Sequence, residues 1–229
     1  MTHLTGSGCL FLLVTCIAFG QNTGSVSGII RDDAGQPVAG GYAVASPVGP
    51  SATHATYTAI TSASGKYTFT GMQPGKYSIC VQVPGGPHLD PCRWSTAVQI
   101  TVGAGQSVTN QTVSVTKGSI LQVRIDDQSK LLATSGPGDL LVGVFLPSSV
   151  FQPLRLMSSD GSGRTYQTAI PFNTSVRLSV TSAHLVLADA KGARLVPVSA
   201  SSSGSAIVPV LSATGTANSL VTFTVIGKK

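Results

Sequence analysis

"SASGKYTFTGMQPGKYSICVQVPGG", residues 62–86, alternates apolar and polar side chains, breaks at Gln73-Pro74-Gly75, and alternates again. Tyr67 and Phe69 share one face of the first run, with Lys66, Thr68 and Thr70 on the other. In the second run Tyr77, Ile79, Val81 and Val83 share a face, and Ser78, Cys80 and Gln82 point away from it. A period of two residues is that of a strand with one buried side. Two such strands joined by a tight Pro-Gly connection predict sheet packed on sheet. The odd residue is Cys80, which the register sends outward, away from the core. An outward cysteine has little packing role, but it can reach a loop that folds back over the sheet.

The flanks repeat the pattern. Val26, Gly28 and Ile30 alternate before the turn residues Asp33-Ala34-Gly35-Gln36-Pro37. Val98, Ile100 and Val102 alternate before Gly103-Ala104-Gly105. Val113 and Val115 follow, with Gln111 interrupting their face as at a bulge. Six or seven short strands in about 95 residues predict a β-sandwich.

A second unit follows. "GSVSGIIRDD" (24–33) is echoed by "GSILQVRIDD" (118–127), an offset of 118 − 24 = 94 residues. "SASGKYTF" (62–69) has a looser echo in "DGSGRTYQ" (160–167). Val176, Leu178 and Val180 alternate, as do Val221, Phe223 and Val225 in the last strand-like run, 220–227. Leu185 to Leu187 and Leu195-Val196 flank a turn at 189–192, and "SASSSGS" (199–205) reads as a solvated loop. The order of the echoes favours a degenerate duplication. The fold class is therefore all-β: two consecutive β-sandwiches, spanning 21–117 and 118–229, with the boundary within 115–119.

Composition agrees. Charged residues are 10% of the 229, no Glu occurs, and apolar residues make up 42%. Strong helix formers are scarce, yet a packed core is affordable. The net charge is +6, but Lys and Arg are scattered singly and the only basic pair is Lys228-Lys229. That spacing argues against a nucleic-acid partner.

Residues 1–20 read as a signal peptide. Cys9–Phe19 is apolar but short for a membrane span. Ala18 and Gly20 sit where a signal peptidase reads small residues, so cleavage would leave Gln21 first. The segment lacks a Lys or Arg, so a retained membrane anchor is the alternative. No later stretch is long and apolar enough to span a bilayer, and the expected location is secreted, periplasmic or cell-surface. The mature chain keeps Cys80 and Cys92, an even pair that predicts one disulfide in an oxidising compartment. A metal cluster with His88 and Asp90 is the rival reading, and the disulfide is preferred. No cofactor is expected.

Residues "GSVSGIIRDDAGQPVAGGYAV" (24–44) and "SGKYTFTGMQPGKYSICVQVPG" (64–85) resemble the carboxypeptidase regulatory-like family, also called prealbumin-like or carbohydrate-binding-like. The shared parts are a first strand, a D-x-x-G-x-P-V-x-G turn, a Gly-Lys-Tyr-x-Phe strand and a Pro-Gly-x-Tyr strand. The resemblance covers about 24–117 and implies the sandwich, with no peptidase activity. Ala63-Ser64 stand where the family often has an acidic residue, which argues against a calcium-assisted turn. Related pilin-type modules carry an isopeptide bond catalysed by a buried Glu, and no Glu is present here.

Catalysis finds little support. Neither H-E-x-x-H nor G-x-S-x-G occurs. The mature histidines are His54, His88 and His184, each read as an ordinary histidine rather than a base. Asp32-Asp33 and Asp126-Asp127 are neighbours at strand ends, where Asp shapes turns. The distinctive stretch is "PGGPHLDPCRWST" (84–96), with the only Trp. Trp94, Arg93, His88 and Asp90 are the candidate ligand-binding residues, since a loop Trp among polar groups stacks on a sugar or anchors a protein. The competing reading makes Trp94 an edge cap and the loop a structural element. Function is thus expected to be non-enzymatic binding of a glycan or a protein surface, with a structural cell-surface scaffold as the alternative and a hydrolase behind both.

Overall fold

In the computed structural model, residues 22–132, 140–146, 148, 150–195, 211–213 and 219–229 are described. Residues 1–20, expected from the sequence to be a signal peptide, Val196 and the serine-rich tract 199–205 lie outside them. The first sheet places β1 (Gly24–Asp32) between β4 (Lys66–Met72) and β7 (Ser107–Val115). The second runs in the order β3 (Tyr57–Ile60), β2 (Tyr42–Pro47), β5 (Gly75–Gln82), β6 (Val98–Val102).

The opening stretch 62–86 is where the chain changes sheets. β4 and β5 do not pair; each joins a different sheet. The corner at Gln73 leaves both ladders, so its backbone needs other partners. Two tyrosines supply them: Gln73 N donates to Tyr57 Oη (2.9 Å), and Tyr77 Oη donates to Gln73 O (2.8 Å). Tyr67, Phe69, Tyr77, Ile79 and Val81 are buried between the sheets with Val26, Ile30, Val113 and Val115. Cys80, between Ile79 and Val81, faces outward and is half-buried. The irregularity expected at Gln111 is a bulge, with the β1–β7 register slipping between Val26 and Gly28. A Cβ on Gly28 would collide with Gln111 O, so the close approach requires glycine there.

The second pair of sheets repeats the wiring. β8 (Ser119–Asp126) lies between β12 (Gly163–Ile170), antiparallel, and β16 (Ser219–Lys228), parallel. β1 is likewise antiparallel to β4 and parallel to β7. The facing sheet runs β10 (Phe151–Pro153), β9 (Leu140–Phe145), β13 (Thr174–Ser182), β15 (Leu211–Ala213), matching β3-β2-β5-β6 position for position. β11 (Arg155–Asp160) and β14 (Leu185–Asp189) are extra edge strands of the β8 sheet. A separate core of Leu121, Val123, Ile125, Tyr166, Leu178, Val180 and Phe223 fills this sandwich. The protein is all-β; among the described residues the named helical elements are a four-residue turn, α1 (Pro91–Trp94), and a 3-10 turn, Gly49–Ser51.

One detail of the sequence echo is corrected. At an offset of 94, buried Val26 would align with Ile120, which is only partly buried. The buried faces align at 121 − 26 = 95, matching Val26, Ile30 and Asp32 with Leu121, Ile125 and Asp127. Period-2 geometry forbids an odd slip between two such faces. Tyr67 opposite Gly28 then corresponds to Tyr166 opposite Val123.

Candidate functional site

The candidate loop leaves the end of β5 and returns at β6. Its middle is ordered from within. Asp90 caps α1, its Oδ1 accepting from Cys92 N (3.0 Å), and Pro91 takes the first helical position. Arg93 Nε reaches Asp90 Oδ2 at 3.2 Å. Cys80 and Cys92 form the disulfide on the outer face of the first sandwich, with Cα atoms 5.2 Å apart. Cys92 is exposed, so the bond is open to solvent. Burial raises the Asp90 pKa, against the lowering pull of the Cys92 N–H and Arg93.

The loop also grips the connection between the two cores. Leu89 N donates to Thr116 O (2.9 Å) and Gly118 N to Pro87 O (2.7 Å), which pairs the backbones of His88 and Lys117 as an isolated antiparallel β-bridge. Lys117 Nζ in turn pairs with Asp32 Oδ2 at 2.7 Å. From the second sandwich, Gln167 Nε2 donates to Gly85 O at 3.0 Å. His88 is shifted toward its neutral form, by burial first and by the Lys117 charge second.

The half-buried Trp94 indole packs against the core of the second sandwich. The sequence contains no cue for this, because the contacting residues belong to the other unit. His88, Asp90, Arg93 and Trp94 nevertheless line one cleft of about 180 Å³. Its opposite wall comes from the second sandwich: Gln152, Pro153, Arg155 and Gln167 through Ala169. None of these was legible as a site residue, since Gln152 and Arg155 sit in short edge strands with no distinguishing motif. Two buried polar atoms of residues lining the cleft, His88 Nδ1 and Gln152 Oε1, have no hydrogen-bond partner.

Elsewhere the polar residues serve the fold. Asp32 Oδ1 accepts from Ala34 N and Gln36 N, and Asp127 Oδ2 accepts from Leu132 N. Asp126 and Asp160 both bind Arg124. His54 Nδ1 lies 3.4 Å from Tyr77 Oη at the end of the first core. Among the described residues no helix is long and apolar enough to cross a membrane.

No protein-family model matches the chain, and no curated protein matches it. Several solved structures are similar at low identity. A streptococcal ancillary pilin is 14% identical with a TM-score of 0.40, over 90% of this chain and 63% of that one. The Bacillus anthracis TIE protein is 9% identical with a TM-score of 0.36, over 90% of this chain and 34% of that one. A putative polysaccharide-binding protein from Bacteroides thetaiotaomicron is 13% identical with a TM-score of 0.32, over 75% of this chain and 78% of that one. The chain thus spans about a third of the Bacillus protein and less than two thirds of the streptococcal one.

Proposed function

We propose that the mature chain, residues 21–229, is an exported, non-catalytic β-sandwich module that binds a glycan or protein surface at the seam between two sandwiches. In this reading residues 1–20 are removed on export, 21–117 is a carboxypeptidase regulatory-like unit, and 118–229 is its degenerate duplicate. The supporting observation is convergence: four polar or aromatic residues of one loop meet Gln152, Arg155 and Gln167 of the other sandwich around a single cleft. Clefts between units, with an aromatic wall and a few directed polar groups, are favoured ligand sites. The unpartnered His88 Nδ1 and Gln152 Oε1 add to this, because buried polar atoms ordinarily find partners. The solvent-exposed disulfide fits an oxidising compartment.

The structural-scaffold reading has its own support. Trp94 packs on the second core, and the cleft of about 180 Å³ is smaller than most ligand pockets. The two readings part in a binding screen. Immobilised residues 21–229 are applied to a glycan array and to cell-surface extracts of the source. Retention of a defined glycan or protein that competes with changes at Arg93 or Gln152 supports binding. Retention of nothing, by a chain that remains folded, leaves the scaffold.

A further inference from the structure

We infer that the seam cleft selects an acidic sugar residue, with the carboxylate held between Arg93 and Arg155 and the ring laid against Trp94. This rests on the cleft being a binding site and adds the chemical class of its occupant. The two guanidinium-bearing residues come from opposite walls: Arg93 from α1 of the first sandwich, Arg155 from the start of β11 in the second. Both residues line the same cleft of about 180 Å³. Arg93 uses its Nε for Asp90, and no hydrogen bond among the described residues engages its terminal nitrogens. Arg155 is exposed, and no ion pair among the described residues engages it. Asp90 already balances Arg93, so Arg155 supplies the uncompensated positive charge, while the free terminal nitrogens of Arg93 keep a guanidinium fork that matches a carboxylate.

The rest of the wall suits a sugar better than a simple anion. Trp94 offers an aromatic surface for the apolar face of a pyranose. Gln152, which donates to Thr168 Oγ1 at 3.3 Å, keeps an unpaired Oε1 that can accept from a hydroxyl. Asp90 blocks one side of the Arg93 guanidinium and can itself accept from a hydroxyl, which disfavours a densely charged ligand such as phosphate. The net charge of +6 draws acidic polymers to the surface, but only the cleft distinguishes one residue of such a polymer from another.

The test is an NMR or calorimetric titration of oxidised residues 21–229 at fixed salt. The probes are uronic-acid trisaccharides (galacturonate, glucuronate, mannuronate) and their neutral counterparts. The expected result is binding of at least one uronate trimer that exceeds its neutral counterpart, lowered about tenfold by Arg155→Gln and by Arg93→Gln. Arg155→Gln alters an exposed side chain, so folding of that variant is not in question. Equal binding of acidic and neutral trimers overturns the acidic assignment while leaving the cleft as a binding site. Uronate binding indifferent to both arginine changes means surface charge alone attracts it, and overturns the inference. Binding of none of the trimers overturns the inference and, if the array screen is also empty, the binding function with it.

Discussion

Asp32 holds three donors at once: Ala34 N at 3.0 Å, Gln36 N at 2.8 Å and Lys117 Nζ at 2.7 Å. The Lys117 bond, then the Gln36 amide, hold its carboxyl below the usual carboxylate range. A depressed folded-state pKa contributes stability that is present above the unfolded value of about 4 and is lost as pH falls through the folded one. Urea midpoints of wild type and Asp32→Asn should therefore differ most near neutral pH, and the gap should close on acidification below about pH 4. A gap independent of pH would mean that turn geometry, not charge, carries the effect. At the alkaline end, burial pushes the Tyr67 and Tyr77 phenols up to about 12. Both sit in the first core, so their neutral form is favoured by folding, and that contribution is lost as pH rises from about 10 through 12. The tyrosinate absorbance of Tyr67 and Tyr77 should therefore stay absent until the sandwich opens. Ionisation of all tyrosines together, below unfolding, would contradict this burial.

The strand β5 and the turn α1 are joined by one covalent bond, and their legibility differs. The outward direction of Cys80 follows from the period-2 face of Tyr77, Ile79 and Val81, so both the strand and its disulfide partner were legible in the sequence. The turn α1 has four residues, too few for any helical period; its trace is Asp90 followed by Pro91, a cap and first-position pair. β11 was invisible for another reason. Leu156 and Met157 are adjacent and both exposed, and a bulge lies between Leu156 and Ser158, so no alternation exists to be read. Closing a loop as short as 80–92 stabilises by roughly 2–3 kcal/mol in the chain-entropy model. Reduction should raise hydrogen exchange across 84–95 while leaving β1, β5 and β7 protected. Loss of protection in all three would make the bond essential to the core rather than to the loop. Gly118 is the companion case at the connection between cores. A Cβ there would collide with Ile170 O and come within 2.8 Å of Leu89 Cδ2. Gly118→Ala should cost about 1–3 kcal/mol in urea denaturation, the range for overpacking; an unchanged midpoint would show that the connection yields freely.

The molecule carries its own reporter for the relation between the sandwiches, because Trp94 is the sole tryptophan. It belongs by sequence to the first unit and by packing to the second core. Among the described residues each sandwich has its own separate core, a condition for folding alone. The seam between them is tied by Gln167 to Gly85, by Gly118 to Pro87 and by the indole. Expressed alone, residues 21–117 should give a cooperative β-rich fold, because no residue of their core comes from beyond 117. Their tryptophan emission should nonetheless lie at longer wavelength than in 21–229, since the fragment leaves the indole without its partner surface. Adding residues 118–229 in trans should shift the emission back if the seam forms without the covalent connection. An unfolded 21–117 fragment would make the seam obligate and the two-unit division wrong. A folded fragment with unchanged emission would place the indole against its own sandwich, as an edge cap, and would remove Trp94 from the cleft on which the binding proposal depends.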